Sequence, residues 1–279
     1  MWKQKLGLGT FGGNGIDNNE QIRLFKRAGF DAFFTEWSYG VPVADWVKTA
    51  KDEGMIYQSV HAPFNKSDDM WCDDAELADI AEKELLACLA DCEKFEIPIM
   101  VMHTIIGFDN HNPTEIGLER FGRVIDAAEK AGVKLAFENT EGEEYLFKLF
   151  DAFGDRKNVG FCWDTGHEMC YNHSQDLLQK LGNKLIATHL NDNLGIKDFG
   201  GEITWLDDLH LLPFDGIANW QNIADRLDRH GFDDIMMFEL NIKSKPARHE
   251  NDSYAAMDFE IYLAEAFKRA CRVASLRKR

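Results

Sequence analysis

The sequence predicts a single-domain (β/α)8 barrel. Eight short apolar segments alternate with helical segments along the chain, which is the order of a parallel α/β fold. The strand segments are largely apolar rather than alternating, as expected for strands that are buried on both faces. The chain has 279 residues, close to the roughly 250 of a typical eight-fold barrel. We therefore expect residues 1–279 to form one domain.

The predicted strands are short runs rich in Val, Ile, Leu, Phe and Met that end at polar or turn-forming residues. In chain order they are Lys5–Thr10, Asp31–Trp37, Ile56–Ala62, Ile97–Thr104, Lys134–Thr140, Val159–Thr165, Leu185–Asp192 and Asp234–Leu240. None is followed by a glycine-rich dinucleotide fingerprint, because the glycines near the amino end are too loosely spaced. The strands therefore predict a barrel without a bound dinucleotide.

The predicted helices carry apolar residues at helical spacing between these strands. They are Asn18–Ala28, Val43–Glu53, Asp73–Phe95, Pro113–Ala131, Tyr145–Phe153, Ser174–Leu181, Trp220–His230 and Asp252–Ser275. Gly29, Gly54, Gly132 and Gly231 directly follow four of them, a common C-terminal signal. Residues 193–217 break this rhythm, and connections of this length without regular structure are usually functional.

Charge and composition exclude several classes of protein. The chain carries 48 acidic and 31 basic residues, a formal net charge of -17, so it lacks the broad basic face of a nucleic-acid-binding protein. No apolar run is long enough to cross a bilayer, and the amino end lacks a signal peptide. The cysteines are scattered without a paired framework. We expect a cytoplasmic enzyme without membrane or nucleic-acid partners, and assembly into a homo-oligomer stays open.

Potential metal ligands stand at the carboxyl ends of most predicted strands. They are His61, His103, Glu138, Asp164 with His167, His189 and Glu239. The long connection adds Asp208 and His210, which share a face if that segment is extended. A barrel brings its strand ends to one rim, where barrel enzymes place their active sites.

Each of these residues has an ordinary explanation when it is taken alone. A single strand-end histidine is more often a hydrogen-bonded rim residue than a ligand, and Glu138 or Asp164 could cap the following helix. This explanation does not hold for the whole set, because unpaired carboxylates beside an apolar barrel interior cost folding free energy and a cation is their natural partner. The set therefore predicts a metal centre at the barrel mouth.

Seven short motifs, in order, carry a family resemblance. They are HAPF, MHT, FENTEG, DTGH, HLND, DLHLLPFDG and FEL, spread from the third predicted strand to the eighth. The sequence resembles the xylose isomerase-like barrel superfamily, which includes ketose epimerases, hydroxypyruvate isomerase-like enzymes, inosose-processing enzymes and the endonuclease IV family. The resemblance spans most of the chain and implies the barrel fold.

For the epimerase branch, the resemblance implies one divalent cation, Mn²⁺ or Zn²⁺. It is held by two glutamates, an aspartate and a histidine, which match Glu138, Glu239, Asp164 and His189. The DTGH histidine, here His167, contacts substrate in that branch. The sequence departs from the pattern after the strand-seven histidine, where residues 191–193 (Asn-Asp-Asn) replace an arginine.

For the endonuclease IV branch, the resemblance implies a cluster of three zinc ions with further ligands. This sequence has matching residues for them: His61, His103, His167, Asp208 and His210. Because both ligand sets are present, the number of ions stays open.

The favoured function is isomerisation or epimerisation of a sugar or sugar phosphate. A cation chelated by a carbonyl and its neighbouring hydroxyl acidifies the intervening C–H and stabilises an enediolate, while Glu138 and Glu239 remove and return the proton. Glu36 and Trp37 are candidate contacts to sugar hydroxyls and a sugar face, and packing at the rim is an equal alternative for Trp37. The alternative is a multinuclear zinc phosphodiesterase acting on abasic-site DNA or another phosphate ester, which the acidic charge disfavours. A third hypothesis is a non-catalytic, metal-stabilised barrel that senses a sugar.

Overall fold

The fold is a (β/α)8 barrel, as predicted. A computed structural model of the protein describes residues 4–109, 112–196 and 202–278. In the described residues eight parallel strands form one sheet in the order β7-β6-β5-β4-β3-β2-β1-β8. They are β1 (Leu6–Gly9), β2 (Ala32–Glu36), β3 (Ile56–His61), β4 (Ile99–His103), β5 (Lys134–Glu138), β6 (Val159–Asp164), β7 (Leu185–His189) and β8 (Met236–Phe238).

The seam between β7 and β8 closes the barrel. A parallel bridge joins Leu190 to Phe238, and the backbone N–H of Leu190 donates to the carbonyl of Met237 at 2.8 Å. The Thr188 hydroxyl accepts from the backbone N–H of Met237 at 3.0 Å. These bonds bring the end of β7 beside the end of β8, which matters for the site described below.

Ten α-helices surround the barrel in the described part of the chain. They are α1 (Asn18–Ala28), α2 (Val43–Glu53), α3 (Ala75–Lys94), α4 (Glu115–Ala131), α5 (Glu143–Phe153), α6 (Thr165–Cys170), α7 (Leu177–Leu181), α8 (Trp220–Arg229), α9 (Asp252–Ala255) and α10 (Phe259–Ala274). Two short 3-10 helices cover Asp69–Trp71 and Gly182–Lys184. Among these helices none has both the length and the apolarity needed to span a bilayer.

Two helical predictions need correction. Helix α6 was not predicted, because six residues are too few to show a helical period; it begins after Asp164, whose carboxylate accepts the backbone N–H of His167 at 2.6 Å. Only residues 177–181 of the predicted helix Ser174–Leu181 are helical. The predicted helix Asp252–Ser275 is two helices, because α9 ends at Ala255 and Asp258 caps the start of α10, its carboxylate accepting the backbone N–H of Glu260 at 2.9 Å.

Apolar side chains pack on both faces of the barrel strands. One large apolar cluster fills the space between the strands and the surrounding helices. Small groups of apolar side chains, including Val101, Ala136 and Cys162, form separate buried clusters on the other face of the strands. Since that face is the barrel interior, the barrel is packed rather than hollow and ligands can enter only at a rim.

Candidate metal centre and active site

Four side chains from four strands meet at the carboxyl rim of the barrel. Glu138 ends β5, Asp164 ends β6, His189 ends β7 and Glu239 directly follows β8. One ligand atom from each lies within 4.8 Å of the ligand atoms of the other three. We refer to these four residues as the inner cluster. Three carboxylates and an imidazole at this spacing are a donor set that suits a divalent cation such as Zn²⁺ or Mn²⁺.

Glu138 lies at the middle of this group and is fully buried. Its Oε1 is 2.8 Å from Nδ1 of His189, and its Oε2 is 3.2 Å from Nε2 of His61 and 3.6 Å from Nε2 of His103. Nδ1 of His189 is also 3.2 Å from Oε2 of Glu239. The surrounding imidazoles stabilise the fully buried carboxylate of Glu138, which would otherwise be costly to bury.

Backbone and amide groups hold Asp164 in place. Its Oδ1 accepts the backbone N–H of His167, and its Oδ2 accepts an N–H of the Asn191 side chain at 2.8 Å. The side-chain amide of Asn139 bonds both the N–H and the carbonyl of Asp164. The carbonyl of Asn139 lies 2.9 Å from Nδ1 of His167. The asparagines therefore fix the orientation of an inner-cluster carboxylate, a role typical of residues behind metal ligands.

The predicted Asp208–His210 pair lies above the inner cluster. Nε2 of His210 is 2.8 Å from the Asp208 carboxylate, and Nδ1 of His210 is 3.6 Å from Oε2 of Glu239. Asp208 is also 3.5 Å from Nε2 of His167. His210 has a positive φ of 49°, an uncommon conformation for a residue other than glycine.

Three further groups of potential ligands adjoin the inner cluster. His61 and His103 lie with Glu138, His167 and His210 lie with Asp164, and Cys162 lies with Glu138 and His189, each set within the same 4.8 Å limit. The structure therefore brings all nine predicted ligands into one region. Metal binding by these residues, and the number of ions, stay predictions.

The buried charges shift the pKa values of these groups strongly. Burial alone would raise the pKa of Glu138, but the positive charge of His189 and hydrogen bonds from His103 and His189 hold it well below the usual range. Against the same effect of burial, His189 and His210 lower the pKa of Glu239 to about 2. Burial prevails at Asp164 and raises its pKa to about 6. Most of these carboxylates are therefore ionised at neutral pH, balanced by imidazolium protons that a cation could replace.

A cavity of about 460 Å³ opens above these residues. Its lining includes His61, His103, His167, Asp208, His210 and Glu239. Other polar and aromatic side chains complete the lining, namely Glu36, Phe64, Phe108, Glu141, Tyr171, Trp205, Asn241 and Lys245. The volume suits a ligand the size of a monosaccharide, with apolar walls and a few polar groups.

Glu36 and Trp37 have different positions. Glu36 lines the cavity. Trp37 does not: its side chain is buried, and its indole N–H donates to Asp91 of α3 at 2.8 Å. Neighbouring residues of a strand point to opposite faces, and Trp37 takes the face toward the helices. The expected contact of Trp37 with a sugar face was therefore wrong.

The carboxylate of Asp192 holds the long connection after β7 rather than a metal ligand. It accepts the backbone N–H groups of Phe214 and Ala218 at 2.9 Å and the indole N–H of Trp220 at 2.8 Å. The neighbouring Asn191 takes the orienting position instead. Four residues of the site are not identified from the sequence: Asn139, Glu141, Tyr171 and Trp205. Of these, Asn139 directly follows the predicted ligand Glu138, and this position is the signal by which it could be found.

Comparison with known proteins assigns the family. Residues 22–260 match the family model described as xylose isomerase-like TIM barrel. The chain therefore belongs to that family. It is 29% identical over 191 residues to protein y4fM of Sinorhizobium fredii and 24% identical over 200 residues to protein MJ1311 of Methanocaldococcus jannaschii. These matches cover 62% and 64% of this chain and only 58% and 63% of the two relatives.

Solved structures share the fold along nearly the whole chain. D-psicose 3-epimerase from Clostridium cellulolyticum, in a structure with D-tagatose, has a TM-score of 0.72 at 16% identity and covers 98% of this chain and 99% of its own. The IolI protein with a zinc atom has a TM-score of 0.74 at 18% identity, covering 96% and 98%. An L-ribulose 3-epimerase has 0.68 at 17%, covering 98% and 97%. At these identities the likeness concerns the fold.

Proposed function

We propose that the protein is a divalent-metal-dependent sugar isomerase or epimerase. The observation that carries this proposal is the inner cluster of Glu138, Asp164, His189 and Glu239, which converges beneath a cavity of monosaccharide size that Glu239 lines. Epimerases and a zinc-binding protein among the structures of the same fold support it. The buried carboxylates of Glu138 and Asp164, together with that of Glu239, which is 24% exposed, also need a compensating positive charge, so the donor set fits a cation.

When bound, the cation would polarise a carbonyl and the adjacent hydroxyl of the substrate and so acidify the C–H between them. The chain's own residues do the rest. Glu138, Asp164, His189 and Glu239 would hold the cation, while His61, His103 and His167 surround the reacting end of the sugar.

Glu138 and Glu239 are the proposed pair for proton transfer. They reach the centre from β5 and from the end of β8, on different sides of the barrel. Their lowered pKa values keep both carboxylates ionised at neutral pH, which a proton-accepting group requires. One carboxylate would remove the proton from carbon and the other would return it from a different direction, which inverts a stereocentre.

Solvent exchange tests this proposal. Metal-loaded protein is incubated in deuterated water with D-tagatose, L-ribulose and hydroxypyruvate, each compared with its phosphate where one exists, and deuterium at carbon is measured by NMR. The proposal expects exchange, together with a new isomer, for at least one compound. Absence of exchange across the panel, with metal content verified on the same sample, would contradict it.

A zinc phosphodiesterase is the second candidate. The specific observation in its favour is the full set of extra ligands, with His61 and His103 beside Glu138 and Asp208 bonded to His210. Against it, the groove next to the cavity is lined by acidic side chains, including Asp109, Glu143 and Glu202, which would repel a phosphate backbone. Metal analysis giving two or three ions per chain, with cleavage of an abasic-site duplex at moderate salt, would favour this candidate.

A further inference from the structure

Lys245 reaches the cavity from the loop after β8. Among the described residues that line the cavity it is the one lysine, and no arginine lines it. Its side chain is only 15% exposed, and Nζ lies 3.7 Å from Oδ2 of Asp208. The same ammonium lies 5.2 Å from the ring centroid of Trp205, within the range of a cation–π contact. A lysine held in this way faces the ligand space rather than solvent.

The loop that carries Lys245 is fixed to its surroundings. The backbone N–H of Lys245 donates to Oε1 of Glu250 at 2.6 Å. Arg248 of the same loop donates to Asp207 at 2.9 Å, next to the Asp208 that pairs with Lys245. These contacts join the loop after β8 to the long connection after β7. The ammonium is therefore placed before a ligand arrives, which reduces the entropy cost of binding.

Trp205 supplies a second feature of a sugar site. More than half of its side chain is exposed although it is large and apolar, and it lines the cavity beside Lys245. An exposed indole next to a fixed hydrogen-bond donor offers an apolar surface for C–H groups and a donor for hydroxyl oxygens. Lys245 and Trp205 are linked to the inner cluster through two residues. Lys245 lies beside Asp208, Asp208 bonds His210, and Nδ1 of His210 lies 3.6 Å from Oε2 of Glu239.

The charge around Lys245 favours a ligand without a phosphate. Its ammonium is already offset by Asp208, and Glu36 and Glu141 also line the cavity. The adjoining groove adds further carboxylates and, in the described residues, no lysine or arginine. In that groove a phosphate dianion would meet carboxylates without a lysine or arginine among the described lining residues, whereas a hydroxyl group needs only a donor.

We propose that Lys245 is a substrate-binding residue that, with Trp205, selects an uncharged sugar by donating hydrogen bonds to hydroxyl oxygens at the end remote from the inner cluster. This rests on the proposed sugar isomerase function.

Calorimetric binding of D-tagatose and L-ribulose, each with and without a phosphate, tests this role on metal-loaded protein. Lys245→Met should weaken binding of the preferred uncharged sugar about tenfold, the value of one hydrogen bond from a charged donor. Lys245→Arg should restore part of the affinity, and metal content should not change. The matched control is Lys243→Met, since Lys243 lies on the same loop and donates to the carbonyl of Gly13.

The outcomes separate the inference from the function on which it rests. Wild-type affinity in Lys245→Met, or tighter binding of the phosphate than of the parent sugar by the wild-type protein, would overturn the role of Lys245 while sugar exchange continues. If the wild-type protein binds and exchanges none of these sugars, the proposed function fails and the inference with it. Weakened binding in Lys245→Met with normal metal content and an unchanged Lys243→Met control would support the assignment.

Discussion

Nδ1 of His189 lies 2.8 Å from Oε1 of Glu138, and both side chains are almost completely buried. The positive charge of His189 helps to lower the pKa of Glu138, while Cys162, Glu138 and Glu239 together raise the pKa of His189. A divalent cation would replace the imidazolium proton as the balancing charge. The pair therefore marks the place where metal binding and proton transfer are expected to meet.

Glu239→Gln should remove proton transfer while the fold is retained. We expect exchange of the substrate C–H with deuterated solvent to fall by at least about a hundredfold, because an amide cannot accept the proton. Glu115→Gln, at an exposed glutamate paired with Lys148, is the matched control and should exchange normally. Unchanged exchange in Glu239→Gln would remove this residue from the proton-transfer pair.

Metal affinity should depend on pH. Asp164 has a pKa raised to about 6 by burial, so below that pH its carboxyl is protonated and cannot bind a cation. His189, whose pKa is also raised, must lose a proton to bind. Affinity should therefore increase as pH rises from about 5 to about 8, with proton release on binding. Isothermal titration in buffers of different ionisation enthalpy measures both, and an affinity independent of pH would contradict the prediction.

Arg226 should be important for stability. Its guanidinium is buried, donates to both oxygens of Glu168 at 2.6 and 2.8 Å, and stacks 4.4 Å from the Trp163 ring. Arg226→Met leaves the Glu168 carboxylate without its buried partner, so we expect the free energy of unfolding to fall by about 3 kcal/mol. Urea denaturation measures this loss.

The exposed ion pair of Arg123 and Glu82 is the control for the buried pair of Arg226 and Glu168. Arg123 pairs with Glu82 but is about half exposed, so Arg123→Met should cost less than about 1 kcal/mol. Equal losses in the two variants would show that the buried pair with Glu168 has no special weight.

The sequence predicted the barrel and its rim because those signals are local. Apolar runs, closing glycines and strand-end residues such as His61 and Glu138 are visible in a short window, and barrel geometry then brings the ends together. Helix α6 was missed because it is too short to show a period. Trp37 was misplaced because adjacent strand residues face opposite ways, and nothing local tells which of Glu36 and Trp37 faces the cavity.

Other features depend on tertiary contacts that no window contains. Asn191 orients Asp164 across 27 positions, and Lys245 meets Asp208 across two separate loops. A polar residue in a loop has no periodicity that would show which way it points. The sequence therefore predicts the ligand types well, whereas the residues that orient them and bind the outer end of a substrate come from the structure.

Crystals grown or soaked with Mn²⁺ would give the most direct measurement, through the anomalous difference signal of the metal. We predict one strong peak bounded by Glu138, Asp164, His189 and Glu239. A peak confined to the Asp208–His210 pair, or no peak within reach of these four side chains in a crystal loaded with metal, would contradict the proposed centre.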